Sequence, residues 1–365
     1  MTYRVIGVMS GSSLDGLDIA YVEFEESGGS WTYQIVAAAC LPYTVEWMER
    51  LAGAIRLNAQ DYQLLHSAYG HHIGREVNEF IERHGLQYRV SLVASHGHTT
   101  FHMPPDMTGQ IGCGAAIAAE TGLPVVSDLR ALDVALGGQG APIVPMGEKL
   151  LFTGTDYFLN IGGIANISAN MSGGYLAFDV CPANRVMNML AEEIGMAFDK
   201  GGETASGGTF HQPLLDELNA LDYYGKVYPK SLANDFGTDV VYPLIRRSAL
   251  PVPDALRTFT EHVALQVMRS AKLILPESGV AAGEATRMLV TGGGAMNSFL
   301  VSRIAAYLSP LGLHAVAADE LLANYKEALI MGFLGVLRWR EEETVFASVT
   351  GARKGSIGGA LWMGG

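Results

Sequence analysis

The sequence predicts an α/β protein of two domains, each with strands and helices in alternation around its own sheet. Three observations point there. At 365 residues the chain exceeds the span of one ordinary core. A run of three strands followed by alternating helices and strands occurs twice, from Tyr3 and again from Asp156. A glycine-rich turn follows the first strand of each run, at Gly7–Gly16 and at Asn160–Asn166. The expected domains are residues 1–146 and 147–365, with the last residues able to pack back onto the first domain.

The elements follow in order. YRVIGVMSGSSLDGLDIAYVEF reads as strand, turn and strand, because Val5, Ile6, Ile19, Tyr21 and Val22 favour extended backbone. A third strand is expected at WTYQIVAAACL. Residues 46–84 place Leu51, Ile55, Leu64, Leu65 and Ile73 among polar residues, as a helical stretch does. VSLVASHGH is expected to be a short strand ending in a Ser-His-Gly turn, GCGAAIAAETGL a helix of small residues, and PVVSDLR another strand. In the second run, YFLNIGGIANISAN is strand, Gly-Gly turn, strand, and YLAFDV is the third strand. Helices are expected at 187–197, 212–221 and 256–274. TRMLVTGGGAMNSFLVSRIAAYL reads as strand, triple-glycine turn and helix, followed by the strand HAVAAD and a last helix at 326–340. LDVALGGQGAPIVPMG separates the runs, and its glycines and prolines suit a hinge or linker, with a rigid turn as the alternative.

Composition narrows the function classes. Hydrophobic residues at 49% against 17% charged argue for packed cores and against disorder. A net charge of −13 with no basic stripe makes nucleic acid an unfavourable partner. Cys40, Cys113 and Cys181 are scattered, which supports neither a disulfide framework nor a zinc site. MTYRVIGVMSG carries no signal-peptide pattern, and no apolar run reaches the length of a membrane span. No membrane is expected as a partner, and a reducing cytoplasm is the simplest compartment.

The glycine turns carry the first chemical signal. In GVMSGSSLDG, backbone N–H groups and hydroxyls can converge on anionic oxygens, and Asp15 and Asp18 can hold a hydrated Mg²⁺ beside phosphates. Taken alone it is also an ordinary hairpin turn. NIGGIAN puts Gly162 and Gly163 at the matching place of the second run, and TGGGAMN opens a helix after Gly292, Gly293 and Gly294. Each is also readable as a tight connection between elements. None fits GxxxxGK[ST] or GxGxxG, which disfavours Walker-type NTPases and dinucleotide enzymes.

MSGSSLDGLD, SHGHT, DLRALDVALGGQGAPIVP, NIGGIANIS, FDVCPAN, PKS, TGGGAMN and VTGA resemble, in order and spacing, the anhydro-N-acetylmuramic acid kinases, over residues 7–352. The resemblance implies an actin/hexokinase/Hsp70-like (ASKHA) fold: two RNase H-like domains with mixed five-stranded sheets flanked by helices, facing a cleft that closes over substrate. It implies a phosphotransferase with an alcohol acceptor, using ATP and Mg²⁺ in amino-sugar metabolism and peptidoglycan recycling. Water opens 1,6-anhydro-N-acetylmuramic acid, O6 takes the γ-phosphate, and N-acetylmuramic acid 6-phosphate and ADP leave. Family members are often dimers, so a homodimer is an expectation too.

Residue by residue, the resemblance places the catalytic base at Asp179. ATP is expected at Gly11, Ser12, Ser13, Leu14, Asp15, Gly16, Leu17 and Asp18, at Gly162 and Gly163, and at Gly292, Gly293, Gly294 and Asn297. Ser10, His96, His98, Arg130 and Glu327 are the expected sugar contacts, the guanidinium suiting a lactyl carboxylate. Plainer readings stand beside these. Asp179 is also a strand-end carboxylate, Arg130 a salt-bridge partner of Asp128 or Asp133, and His96 and His98 hydrogen-bonded turn residues that only shape the pocket.

The chain also departs from the family pattern. His98 replaces Gln in SHGQT, Cys181 and Ala183 replace glycines in DxGPGN, Asn188 stands where an acid is common, and PKSLAND loses the Arg and Glu of PKSTGRE across Leu232–Asp235. These changes bear on sugar choice more than on reaction type, leaving a related 1,6-anhydro sugar such as levoglucosan as the alternative. An Hsp70-like ATP-regulated binding protein would need a substrate domain or lid after the ATPase part, and Gly365 follows VTGA too soon for one. A sensor without activity would need a lost base or phosphate loop, and both are present.

Overall fold

From Val5 to Ser10 every residue of β1 (Thr2–Ser10) is buried, the pattern of a strand covered on both faces. The computed structural model describes residues 1–11, 14–171, 174–228, 230–233, 235–275 and 286–365. It divides into Met1–Phe152 with Tyr325–Gly365 as one unit, and Thr153–Asn324 as the other. The sequence-based division at 146/147 differs from this. It gave the second domain everything to Gly365, whereas the last 41 residues, 325–365, lie with the first unit.

In the first unit β1, β2 (Gly16–Ser27) and β3 (Ser30–Pro42) form an antiparallel meander. α1 (Val45–Gly53) is capped by Thr44 and α2 (Ala59–Arg83) by Asn58, each side chain accepting from a backbone N–H of the first turn. β4 (Leu92–Met103) then pairs parallel with β1. It does not end at Ser95-His96-Gly97 as expected. Gly97 takes a φ of +71°, and the β1–β4 register shifts there, so the strand bends and runs on into a hairpin with β5 (Met107–Ile111). α3 (Gly114–Thr121) stops at Gly122, and β6 (Val125–Ser127) extends the sheet beside β4. One core lies between this sheet and α2 and α3, with Ile6, Ile19, Tyr69, Ile73 and Phe80 fully enclosed.

The expected hinge is instead a clamped part of the first unit. It contains α4 (Ala131–Ala135) and α5 (Pro145–Leu151). On α4 the buried carboxylate of Asp133 accepts from the Gly140 N–H at 2.7 Å and from the Thr350 hydroxyl at 2.7 Å. Its own backbone carbonyl accepts from the Gly138 N–H.

The second unit repeats the plan. β7 (Tyr157–Ile161), β8 (Ile164–Met171) and β9 (Gly174–Pro182) form a meander. α6 (Asn184–Glu192), α7 (Glu203–Gly207), α8 (Gln212–Asn219), a π-helical turn at Phe236–Val241, α9 (Tyr242–Arg247) and α10 (Val252–Ile274) follow. α10 packs across β8 and β9 and against α6, α7 and α8, which explains why it is buried on nearly every face. β10 (Thr286–Thr291) pairs parallel with β7 and with β11 (Leu313–Ala317), and α11 (Ser298–Leu308) connects them. The glycine turn opens a helix as expected. Gly293–Met296 form a 3₁₀ turn, and α11 begins after Asn297, whose side chain caps it.

The chain re-enters the first unit within α12 (Glu320–Trp339), then forms α13 (Ala347–Thr350) and β12 (Ala360–Trp362). β12 pairs with β6 at the sheet edge. Among the described residues the first sheet therefore has seven strands rather than the expected five, through β5 and β12, while the second has five. Within both, one strand order and polarity recurs. β6-β4-β1-β2-β3 matches β11-β10-β7-β8-β9, two parallel pairings and then two antiparallel ones. That is the duplicated RNase H-like arrangement. Among the described residues no helix is long and apolar enough to cross a membrane.

Candidate active site

Close packing of α12 on β1 positions the candidate residues of the first unit. A β-carbon on Gly7 would lie 1.9 Å from the Ala328 carbonyl oxygen and 2.6 Å from the Gly332 nitrogen, so only glycine lets the helix approach. Lys326, next in sequence to Glu327, is buried and bonds Glu148 of α5 at 2.8 Å. Glu327 is thereby held where its charge acts on both Asp18 and Arg130.

Ser10, His96, His98 and Arg130 form two hydrogen-bonded groups in this unit. The Tyr43 hydroxyl donates to Ser10 Oγ at 2.8 Å, and Ser10 Oγ lies 3.1 Å from His98 Nδ1. Ser10 then donates to an imidazole kept neutral by burial, which leaves Nε2–H of His98 as a donor. His96 Nδ1 bonds the Gly97 carbonyl at 2.9 Å, and Arg130 Nε donates to His96 Nε2 at 2.8 Å. Burial and the Arg130 charge push His96 down to about 3. Another Arg130 N–H holds the Gly140 carbonyl of the clamped loop. Burial lowers the guanidinium to about 10, against the opposing charges of Glu327 and Asp133. Neither Asp128 nor Asp133 is the salt-bridge partner of Arg130. Asp128 accepts from Ser127, and Asp133 serves the loop. His96 and His98 lie on β4 and not in a turn.

The loop after β1 is described at Gly11 and from Leu14 onward, and Ser12 and Ser13 lie outside the described residues. Leu14 takes a left-handed φ of +59°, with its N–H directed at the Gly11 carbonyl at 3.5 Å. Gly16 and Leu17 begin β2 and are buried, whereas Asp15 is exposed. Burial, with the charges of Asp15 and Glu327, pushes the Asp18 carboxyl up to about 6, although the Cys40 thiol donates to it.

In the second unit Asp179 stands near the end of β9, opposite Asn166. Its Oδ2 accepts from the Leu232 N–H at 2.9 Å, and its backbone carbonyl accepts from the Tyr223 hydroxyl at 2.6 Å. Burial holds the carboxyl above the usual carboxylate range, and the Leu232 N–H partly offsets this. The Lys230 ammonium sits 4.7 Å from the Tyr223 ring centre and 5.6 Å from that of Phe178. Leu232 therefore places a backbone donor on the carboxylate, while Lys230 faces the neighbouring Tyr223 and Phe178 rings.

Two glycine turns that lie far apart in the chain meet at the start of α6. The carbonyls of Gly162 and Gly163 accept from the N–H groups of Asn184 and Ala183 at 3.1 and 2.8 Å. Asn184 Nδ2 donates to the Ile161 carbonyl at 3.0 Å. Gly292 takes a φ of +79° and abuts Asn160 and Ile161, and a β-carbon on Gly294 would strike Ile161 at 2.3 Å. Gly293 has only Asn184 nearby, at 3.6 Å. Asn297 spends its side-chain oxygen on capping α11.

A sequence model of the anhydro-N-acetylmuramic acid kinases matches residues 3–364. The chain belongs to the anhydro-N-acetylmuramic acid kinase family. The anhydro-N-acetylmuramic acid kinase of Streptomyces coelicolor is 34% identical over 99% of this chain and 94% of its own length. That of Salinibacter ruber is 33% identical over 95% and 93%, and that of Vibrio parahaemolyticus 30% over 98% and 97%. Among solved structures, the activator of the 2-hydroxyisocaproyl-CoA dehydratase from Clostridium difficile, with bound ADPNP, covers 94% of this chain and 99% of its own. Its TM-score of 0.44 and 14% identity are too low to add to the strand-order argument. As a member of the anhydro-N-acetylmuramic acid kinase family the chain is a phosphotransferase that uses ATP. Neither the levoglucosan-type alternative nor the Hsp70-type reading gains support from these relatives.

Reading the sequence missed four residues of this site. Tyr43 orients Ser10, Asp133 clamps the GGQGAP loop, Tyr223 pins the Asp179 backbone, and Arg185 adjoins the Gly162–Gly163 turn. The sequence offers Asp133 only as a partner for Arg130. The other three sit outside or at the margin of the glycine motifs, where no spacing rule singles them out.

Proposed function

We propose that the chain opens 1,6-anhydro-N-acetylmuramic acid with water and phosphorylates O6 from ATP, with Asp179 as the base. The observation that carries this reading is the Asp179 carboxyl. It is half-buried, raised above its usual range, and anchored by one backbone N–H, as a proton acceptor for water needs to be. Asp179 takes a proton from water as the water oxygen bonds to C1. The C1–O6 bond breaks, and O6 bonds to the γ-phosphorus as the bond to the ADP oxygen breaks. Protonated Asp179 then returns its proton to solvent. The phosphoryl group traps O6, so no second carboxylic acid is required.

Ser10, His98 and Arg130 would hold the sugar, and Arg130 suits the lactyl carboxylate because its guanidinium is preset by His96 and Gly140. Gly162, Gly163 and Gly293 would border the nucleotide. Mg²⁺ would be held at Asp15 and Asp18. Asp18, pushed up to about 6 by burial and by neighbouring carboxylates, fits a site that a cation relieves. Among the described residues no group of three or more His, Cys, Asp or Glu side chains forms a direct metal cage, so the ion would be held largely through its waters. When bound it would neutralise charge on the phosphates. We place this reaction in the cytoplasm, within cell-wall recycling.

A coupled ADP-release assay over a panel of 1,6-anhydro sugars tests the reading. The muramyl sugar should be the best substrate, and Asp179→Asn should lower kcat roughly 10²–10⁴-fold without weakening ATP binding. Full turnover in that variant, or preference for a sugar lacking the lactyl group, would count against it.

A further inference from the structure

We infer that Arg185, on the first turn of α6, is a phosphate-binding residue for the nucleotide. This rests on the reading of the Gly162–Gly163 turn as part of an ATP site. The first observation is that these glycines are not required by the protein itself. Neither has a left-handed φ. A β-carbon on Gly162 would approach nothing closer than the Ile164 carbonyl at 3.6 Å, and one on Gly163 nothing closer than Arg185 at 3.7 Å. The same holds for Gly293. The protein would therefore accept a β-carbon at ordinary contact distances at each of these three glycines, which gather around Asn184 and Arg185.

The second observation is the state of the guanidinium. Arg185 Nε is buried and has no hydrogen-bond partner. Arg257 and Arg303 of this unit also have an Nε without a hydrogen-bond partner, but each lies within ion-pair distance of Glu261, at 3.2 and 2.7 Å, as Arg246 does of Glu193 at 3.0 Å. Arg185 has no such pair among the described residues. An unanswered buried donor is costly, and a charged one more so.

The third observation is its place on the helix. A cation in the first turn of α6 opposes the helix dipole, and no acidic residue stands in that turn to offset it. An anion at this point would satisfy the Nε–H, the helix dipole and the glycine backbones together. The phosphate oxygens of ATP are that anion, and the planar guanidinium suits them.

Kinetics and calorimetry on Arg185→Met, Arg185→Gln and Arg185→Lys in the full chain test this. In Arg185→Met the KM for ATP should rise roughly 10- to 100-fold, the size of a lost charge-assisted contact. The KM for the anhydro sugar, and the binding of adenosine, should stay within about twofold, and Lys should restore part of the loss. Arg185→Gln keeps the length without the charge and reads the same ratio should the Met variant fail to fold. An ATP KM within twofold of wild type, or a rise in the sugar KM in its place, overturns the inference while the proposed reaction stands. A wild-type chain that neither binds nor consumes ATP would overturn both.

Discussion

Asp179 shows how one residue type serves two ends. A carboxylate at the end of a strand is common, and the sequence alone left that plainer reading open. The structure adds burial and a single backbone donor, Leu232 N–H at 2.9 Å, and these pull the carboxyl in opposite directions with burial ahead. A base works only when deprotonated, so the rate falls as pH drops through its raised value. The acid limb of kcat/KM should therefore lie above the ~3.9 of a free aspartate. Leu232→Pro removes the donating N–H and should move the limb higher still. A limb at or below the free-aspartate value would contradict the burial argument. Arg185 and Asp133 were not legible, because their roles depend on an unanswered Nε and on a loop folding back over a carboxylate. Neither leaves a trace in local spacing.

Glycine turns belong to the scale of elements, and the sequence presents them alike. The structure divides them. Gly292 and Gly294 are glycine because backbone conformation or Ile161 demands it, whereas a β-carbon on Gly162, Gly163 or Gly293 would meet only ordinary contact distances. Gly292→Ala should cost on the order of 1–3 kcal/mol in unfolding free energy, through strain at a left-handed φ and a clash with Asn160. Gly163→Ala should leave the melting temperature within about 2 °C of wild type, since it meets ordinary contact distances, and should weaken ATP. Thermal melts of the two variants beside ATP titrations check this. Equal destabilisation, or unchanged ATP binding in Gly163→Ala, would remove the distinction. Strands and long helices were readable from apolar spacing. The continuation of β4 past Gly97 was not, because a glycine at φ +71° looks like a turn in sequence yet here only bends a strand. The GGQGAP segment misled in the same way: its composition suits a hinge, but Asp133 fastens it.

For the whole molecule, the duplication was legible as a repeated outline of hairpin, helix and strand, and the shared order β6-β4-β1-β2-β3 and β11-β10-β7-β8-β9 gives it a physical form. The return of Tyr325–Gly365 to the first unit, and the edge strand β12, depend on contacts between residues more than two hundred apart in sequence, which no local pattern encodes. The account rests on water being activated opposite the bridging oxygen while that oxygen is phosphorylated. In the 1,6-anhydro sugar the bridge occupies the β face of C1, so attack from the far side must give the α anomer first. Proton NMR of the sugar during the first turnovers, with and without ATP, reads this directly. The account expects α-N-acetylmuramic acid 6-phosphate to form first, and only with ATP present. First formation of the β anomer, a phosphorylated sugar with its anhydro ring intact, or ring opening without ATP would contradict it.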